Sequence, residues 1–197
     1  VYVVSDVFGL WAYRKAYDAR VLSIMLPGAV VGVGVGWAAA SVVPEDWVTV
    51  LVGVIGLAFA LNLILRPRPD APPRPARVVP GLFWGAVSGF TSFVSHSGAP
   101  PYQVYTLPLR MSKTVFAGTA TIAFSVINAA KLVPYWALGQ LTLTSLNVAL
   151  LLMPIAAVAV FAGVQLVKVL PEKLFFQLIR WALLLVSCKL IYDGLMG

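Results

Sequence analysis

Apolar and polar positions fall along this chain in long blocks. Residues 21–42 (VLSIMLPGAVVGVGVGWAAASV) carry no charge, and neither do 47–65, 114–130 or 132–167. A helix of roughly 20 such residues crosses a hydrocarbon core, so the pattern predicts membrane-spanning helices. Set against the loop signals, the blocks give the end of a helix at 1–8, a basic loop at 9–20, and helices at about 21–42 and 47–65 separated by Pro44-Glu45-Asp46. The stretch RPRPDAPPRPARVV (66–79) reads as a linker: its prolines forbid a helix and its arginines hold it in water. An apolar segment at 80–95, a second short one at 101–110, and helices at about 113–137, 146–169 and 172–195 complete the map.

The two ends of the chain resemble each other. At an offset of 127 residues Pro27 falls on Pro154, Gly36 on Gly163, Pro44-Glu45 on Pro171-Glu172 and Leu63-Ile64 on Leu190-Ile191. The ungapped proline and glycine matches point to two homologous halves. Residues 1–65 then form the C-terminal part of a first repeat, 66–79 a cytoplasmic linker, and 80–197 a second repeat. On this register residues 81–127 have no counterpart, so the expected first half lacks its own hairpin and most of its first helix.

Loop charges give an orientation. Arg14, Lys15 and Arg20 flank the first helical pair, and Arg66, Arg68, Arg74 and Arg77 follow it, while Glu45 and Asp46 lie between. The positive-inside rule places the basic loops in the cytoplasm. In the second half the order reverses: loop 138–145 is uncharged and its successor carries Lys168 and Lys173, as an inverted-topology repeat requires. The chain then enters at 79 and leaves at 113 on one side. About 33 residues are available, whereas two full spans need roughly 40 plus a turn. A re-entrant hairpin at 80–111 satisfies that arithmetic, with its tip, SHSGAPP, near the bilayer middle. The predicted fold is an all-α polytopic membrane protein, with three transmembrane helices and one re-entrant broken-helix hairpin per half.

Composition agrees with this class and narrows it. Hydrophobic residues make up 60% of the chain and charged residues 11%, against about a quarter charged in a soluble domain. The lone cysteine, Cys188, excludes an internal disulfide or a cysteine-based metal cluster. No phosphate-binding Gly-Lys loop or nucleophile triad is present, and the net charge of +7 lies largely in loops, so neither an enzyme, a cofactor nor a nucleic-acid partner is implied.

The tip holds the candidate chemistry. His96 is the only histidine in the chain. Ser95, Ser97, Gly98 and Ala99 are small and leave the main chain open to close approach. Pro101 suits a first helical position and pushes Pro100 out of the helical region. The amides of Tyr102, Gln103 and Val104 would then be unpaired at a helix N-terminus, a favourable place for an anion. His96 either donates to a bound oxyanion, couples transport to protons, or is satisfied by a neighbouring carbonyl. On the next helix Thr114, Gly118, Thr121, Ser125, Asn128 and Lys131 recur at helical spacing and form a polar stripe. Lys131 either attracts an anion or snorkels to the outer interface, as Arg180 and Lys189 are expected to do. Two glycine series, Gly28-Gly32-Gly36 and Gly81-Gly85-Gly89, predict smooth faces for close helix packing.

The block GLFWGAVSGFTSFVSHSGAPPYQVYTLPLRMSKTVFAGTATIAFSVINAAKLVPYWALGQL (81–141) resembles the second-repeat signature of the TauE/SafE sulfite-exporter family. The resemblance extends over essentially the whole chain. Its most specific part runs from His96 through Gln103 to Lys113-Thr114 and Gly118-Thr119. Many members carry a Gly-Gly-Gly tip where this chain has Ser97-Gly98-Ala99. The resemblance implies a prokaryotic inner-membrane permease for sulfite, thiosulfate, organosulfonates or related sulfur anions. The expected site takes donors from Ser97, Gly98, Tyr102 and Gln103, with His96 as donor or proton site. Thr121, Ser125 and Asn128 form the adjoining wall and Lys131 stands beyond them. Rocking of one repeat against the other would move the anion, and an oligomer is compatible with the pattern. An anion-selective pore and a carrier of a non-sulfur anion are the alternatives.

Overall fold

Every element among the described residues is helical. The computed structural model describes residues 2–66, 72–138 and 143–196; parts of the linker (67–71) and of the uncharged loop (139–142) lie outside them. The order is α1 (Tyr2–Tyr13), α2 (Ala19–Ala39), α3 (Glu45–Leu65), α4 (Val78–Val94), α5 (Ala99–Thr106), a single 3₁₀ turn at Leu107–Leu109, α6 (Lys113–Ala137), α7 (Leu143–Val169) and α8 (Glu172–Met196). Five of these, α2, α3, α6, α7 and α8, contain stretches long and apolar enough to cross a membrane. The protein is therefore an all-α integral membrane protein. Its exposed Val, Leu and Ile side chains, Val31, Leu51 and Leu151 among them, suit a lipid environment.

The expected boundaries move in two places. Helix α1 does not end at residue 8 but continues to Tyr13. Gly9 lets α6 come close, since a Cβ there would lie 2.7 Å from the Thr121 methyl. The rings of Phe8 and Trp11 both pack on Phe161 of α7. Helix α5 starts at Ala99 rather than at Pro101, with Gly98 as its N-cap. Pro100 is thus helical, against its preference before another proline. Burial offsets that cost: both prolines are fully enclosed, and Pro100 packs on Gly56 of α3.

The two glycine series face each other. A Cβ on Gly28 or Gly32 would strike the carbonyls of Leu82 or Ala86, and one on Gly85 or Gly89 would strike those of Met25 or Ala29. Helices α2 and α4 therefore run parallel with their backbones in contact. Without a hydrophobic force between helices in lipid, such close packing is what holds them together. At the other side of α5, Tyr102, Phe116, Phe175 and Phe176 form edge-to-face ring contacts. Each such pair contributes about 0.5–1.5 kcal/mol beyond burial.

The helix ends sort by charge. Ala16 abuts Gly118, and Lys113 donates to the carbonyls of Lys168 (2.8 Å) and Leu170 (2.5 Å). A basic side chain at the C-terminus of α7 also satisfies that end of the helix dipole. Arg14, Lys15 and Lys168 line one cleft, so the basic loops gather at a single end. At the opposite end Asp46 meets Gly194. Helices α3 and α8 are antiparallel neighbours, with Gly53 against Ile191 and Gly56 against Ser187. The hairpin enters and leaves at the basic end: the Arg74 amide donates to Pro108 O (3.1 Å), and the Tyr105 hydroxyl donates to Arg77 O (3.0 Å).

Candidate functional site

The tip is a turn closed by its own hydroxyls. The amides of Ser95 and Ser97 both donate to Thr91 O, at 3.0 and 3.2 Å. Ser88 Oγ donates to Gly98 O (2.8 Å), Ser97 Oγ to Ser95 O (2.7 Å) and Ser95 Oγ to Thr91 O (3.1 Å). Thr91 Oγ1 lies 3.2 Å from Ser97 O and 2.8 Å from Val87 O. Four small hydroxyl side chains thus satisfy irregular backbone that lipid could not. The chain reverses at His96, whose φ of 54° is left-handed, a conformation usually given to glycine.

The turn spans two depths. Gly98 lies against Phe124, halfway along α6, and Pro100 against Gly56, halfway along α3. The apex reaches further toward the acidic end, where Phe93 stacks on Tyr135 at 5.6 Å. His96 and Ala99 are exposed at this apex, while Ser97 and Gly98 are buried. A Cβ on Gly98 would lie 2.8 Å from Ser88 O and from the Ser92 Cβ, so glycine is needed for the hairpin to close.

The helix start offers fewer amides than the sequence suggests. The Tyr102 amide donates to Gly98 O (3.3 Å), and Gln103 and Val104 lie within the helix. Of the first four N–H groups of a helix, the two prolines remove two here, leaving those of Gly98 and Ala99. The expectation of free amides at Tyr102, Gln103 and Val104 is thereby corrected. Tyr102 is instead wedged between Phe116 and Phe124. Its hydroxyl and Gln103 Oε1 are buried without hydrogen-bond partners.

Lys131 is the unexpected member of the site. It is only 5% exposed, and no carboxylate among the described residues pairs with it. It does not snorkel. At 100° per residue it lies nearer to Phe124 and Ala120 than to Thr121 and Ser125, on the edge of the stripe that turns toward the hairpin. Phe93, three residues before His96, stacks on Tyr135, one turn beyond Lys131 on α6, so the apex and Lys131 lie at the same level of the bundle. The structure therefore brings His96, Lys131 and the Gly98–Ala99 backbone to one region.

The rest of the stripe faces α1. Thr121 Oγ1 donates to Ala117 O (2.9 Å) and Ser125 Oγ to Thr121 O (2.7 Å). Asn128 Nδ2 donates to Asp6 Oδ2 at 2.9 Å. Thr121 and Ser125 thus bond along α6, and Asn128 bonds toward α1. Asp6 is the residue that sequence reasoning missed. The signal was present as one acid inside the apolar run VYVVSDVFGLW, but its partner lies 122 positions away. Among the described residues no group of three or more His, Cys, Asp or Glu could hold a metal ion.

A sequence model of the sulfite exporter TauE/SafE family matches residues 1–190 of the chain. No curated protein matches, and neither does any solved structure.

Proposed function

As a member of the sulfite exporter TauE/SafE family the chain is a membrane transporter of sulfur anions, and we propose that it is a secondary carrier that binds them where the hairpin apex meets Lys131. The observation that carries this reading is the burial of Lys131 without a carboxylate partner. An isolated ammonium inside a protein is costly, and it persists where a counter-ion completes it. The transported anion is that counter-ion. Oxygens of sulfite, thiosulfate or a sulfonate accept from the Lys131 ammonium, from an N–H of His96 and from the amides of Gly98 and Ala99. Charge-assisted bonds of this kind are about twice as strong as neutral ones.

The site lies between elements that can move relative to one another. Antiparallel packing of α3 on α8, the equivalent helices of the two halves, supports an inverted repeat. With the basic end in the cytoplasm, as the loop charges favour, the His96 apex opens toward the outside. Rocking of the hairpin and α6 against α3 and α8 would then expose the same groups to the other face. In this motion the orphaned Tyr102 hydroxyl becomes available as a donor on the cytoplasmic side. The setting is the inner membrane of a prokaryotic cell.

Anion-dependent thermal stabilisation of the detergent-solubilised protein tests the site. A ligand present at 100 times its Kd stabilises by about 2.7 kcal/mol. Sulfite, thiosulfate or methanesulfonate should raise the melting temperature in the wild type, and chloride should not. Lys131→Met should abolish the rise. A variant that keeps the full rise places the site elsewhere.

A further inference from the structure

We propose that Asp6 is the proton-binding group of this carrier, a second site beside the hairpin, separated from it by Phe124 of α6 and coupled to the anion site through that helix. The proposal rests on the carrier reading above and adds its driving ion.

Asp6 lies in α1 opposite the middle of α6 and is only partly accessible. A carboxylate at that depth in a membrane bundle is costly unless it is paired or functional. No cation pairs with it among the described residues; its partners are Asn128 and Ser125. It borders a cavity of about 400 Å³ between α1, α6 and α7, which runs past Thr121 to Tyr13 toward the basic end. A second cleft, lined by Arg14, Lys15 and Lys168, shares Val164 with it and adjoins that end. That end is the side from which water would reach the carboxyl.

The hydrogen bonding accommodates both protonation states. Ser125 has one hydroxyl proton, and in this structure it goes to Thr121 O. With that bond made, its oxygen could accept from a protonated Asp6 carboxyl. When Asp6 is ionised, the same hydroxyl can rotate and donate to it. Asn128 donates to the other oxygen in either state. Protonation forms one O–H bond with a proton from water, and release returns it to water.

The groups facing Asp6 leave the coupling to the anion. From α6 come Asn128, Ser125 and Thr121, none of which titrates. From α7 the cavity wall is Val160, Gly163, Val164 and Val167, and on α1 itself the titratable neighbour is Tyr13. Lys131 is one turn beyond Asn128, a rise of about 4.5 Å, at the level of the hairpin apex. An anion held there is repelled by ionised Asp6 and relieved when Asp6 takes a proton. By reciprocity the bound anion favours protonation equally. Anion and proton thus travel together, and anion affinity falls as pH rises through the titration of Asp6.

The test uses proteoliposomes of the wild type, Asp6→Asn and Asp6→Glu, loaded with sulfite. Counterflow of labelled sulfite reads the carrier, accumulation under an imposed proton gradient reads coupling, and the carboxylic-acid carbonyl band in infrared difference spectra reads Asp6 directly. In Asp6→Asn, gradient-driven accumulation should drop at least tenfold to the level seen without a gradient. Counterflow should persist without pH dependence, and the acid band should vanish. Asp6→Glu should keep accumulation with a displaced pH profile, and it decides the matter if Asp6→Asn fails to fold. Accumulation in Asp6→Asn equal to the wild type, an unmoved profile in Asp6→Glu, or accumulation that follows sodium instead of protons overturns the proposal. If the wild type shows no counterflow, the carrier reading fails, and the infrared band decides the proton site alone. A wild-type spectrum with no acid band lost on mutation overturns it.

Discussion

At the scale of single residues, the account turns on two side chains in places that cost stability. Lys131 is enclosed without a carboxylate partner, so replacing it by an apolar side chain of similar length should stabilise the empty protein while removing the anion. Lys131→Met is expected to gain about 1 kcal/mol or more in thermal unfolding and to lose at least tenfold in sulfite affinity by calorimetry. A variant that is destabilised and binds normally would make Lys131 a packing residue. His96 holds a left-handed turn at φ 54°, which costs a non-glycine residue about 1–2 kcal/mol. His96→Gly separates the turn from the imidazole: it should fold at least as well as the wild type and bind sulfite several-fold more weakly. Unchanged affinity would reduce His96 to a turn former. The sequence singled out both residues but could not decide between anion binding and snorkelling for Lys131. That depends on what packs around the ammonium, and its surroundings come from helices far away in the chain.

At the scale of elements, the apolar blocks and glycine spacing anticipated most of what formed. The two glycine series are legible because a four-residue period leaves one helix face bare, and α2 and α4 use those faces against each other. This interface predicts a sharp contrast. Gly32→Val meets the Ala86 carbonyl and should cost about 3 kcal/mol or prevent assembly. Gly34→Ala, which has nothing within 4 Å, should be neutral or gain about 1 kcal/mol. Thermal unfolding of both in one detergent checks the pair, and equal effects would contradict the packing. The start of α5 was not legible, because local proline preference favours Pro101 while burial of Pro100 on Gly56 decides for Ala99. The length of α1 was missed for a related reason. The loop at 9–20 was read from its charges, yet Gly9 stays within the helix at the point where α6 approaches.

At the scale of the whole molecule, helices α3 and α8 lie antiparallel and the basic loops share one end. Cysteines introduced at Glu45 and Lys173 should therefore be labelled from opposite sides of the membrane, and labelling from the same side would contradict the topology. The division of the polar stripe is a property of this scale too. Thr121, Ser125 and Asn128 read in sequence as the wall of one site. Folding brings Asn128 to Asp6 of α1, while Lys131 is enclosed at the level of the apex. A helical period reveals a shared face but not which neighbour that face meets. The most direct test of the central claim is counterflow of labelled sulfite in proteoliposomes, wild type against Lys131→Met. Saturable counterflow that falls at least tenfold in the variant is the predicted result. Saturable counterflow of equal rate in the two proteins, or a wild-type flux that rises linearly without saturation, would contradict a carrier whose anion is held by Lys131.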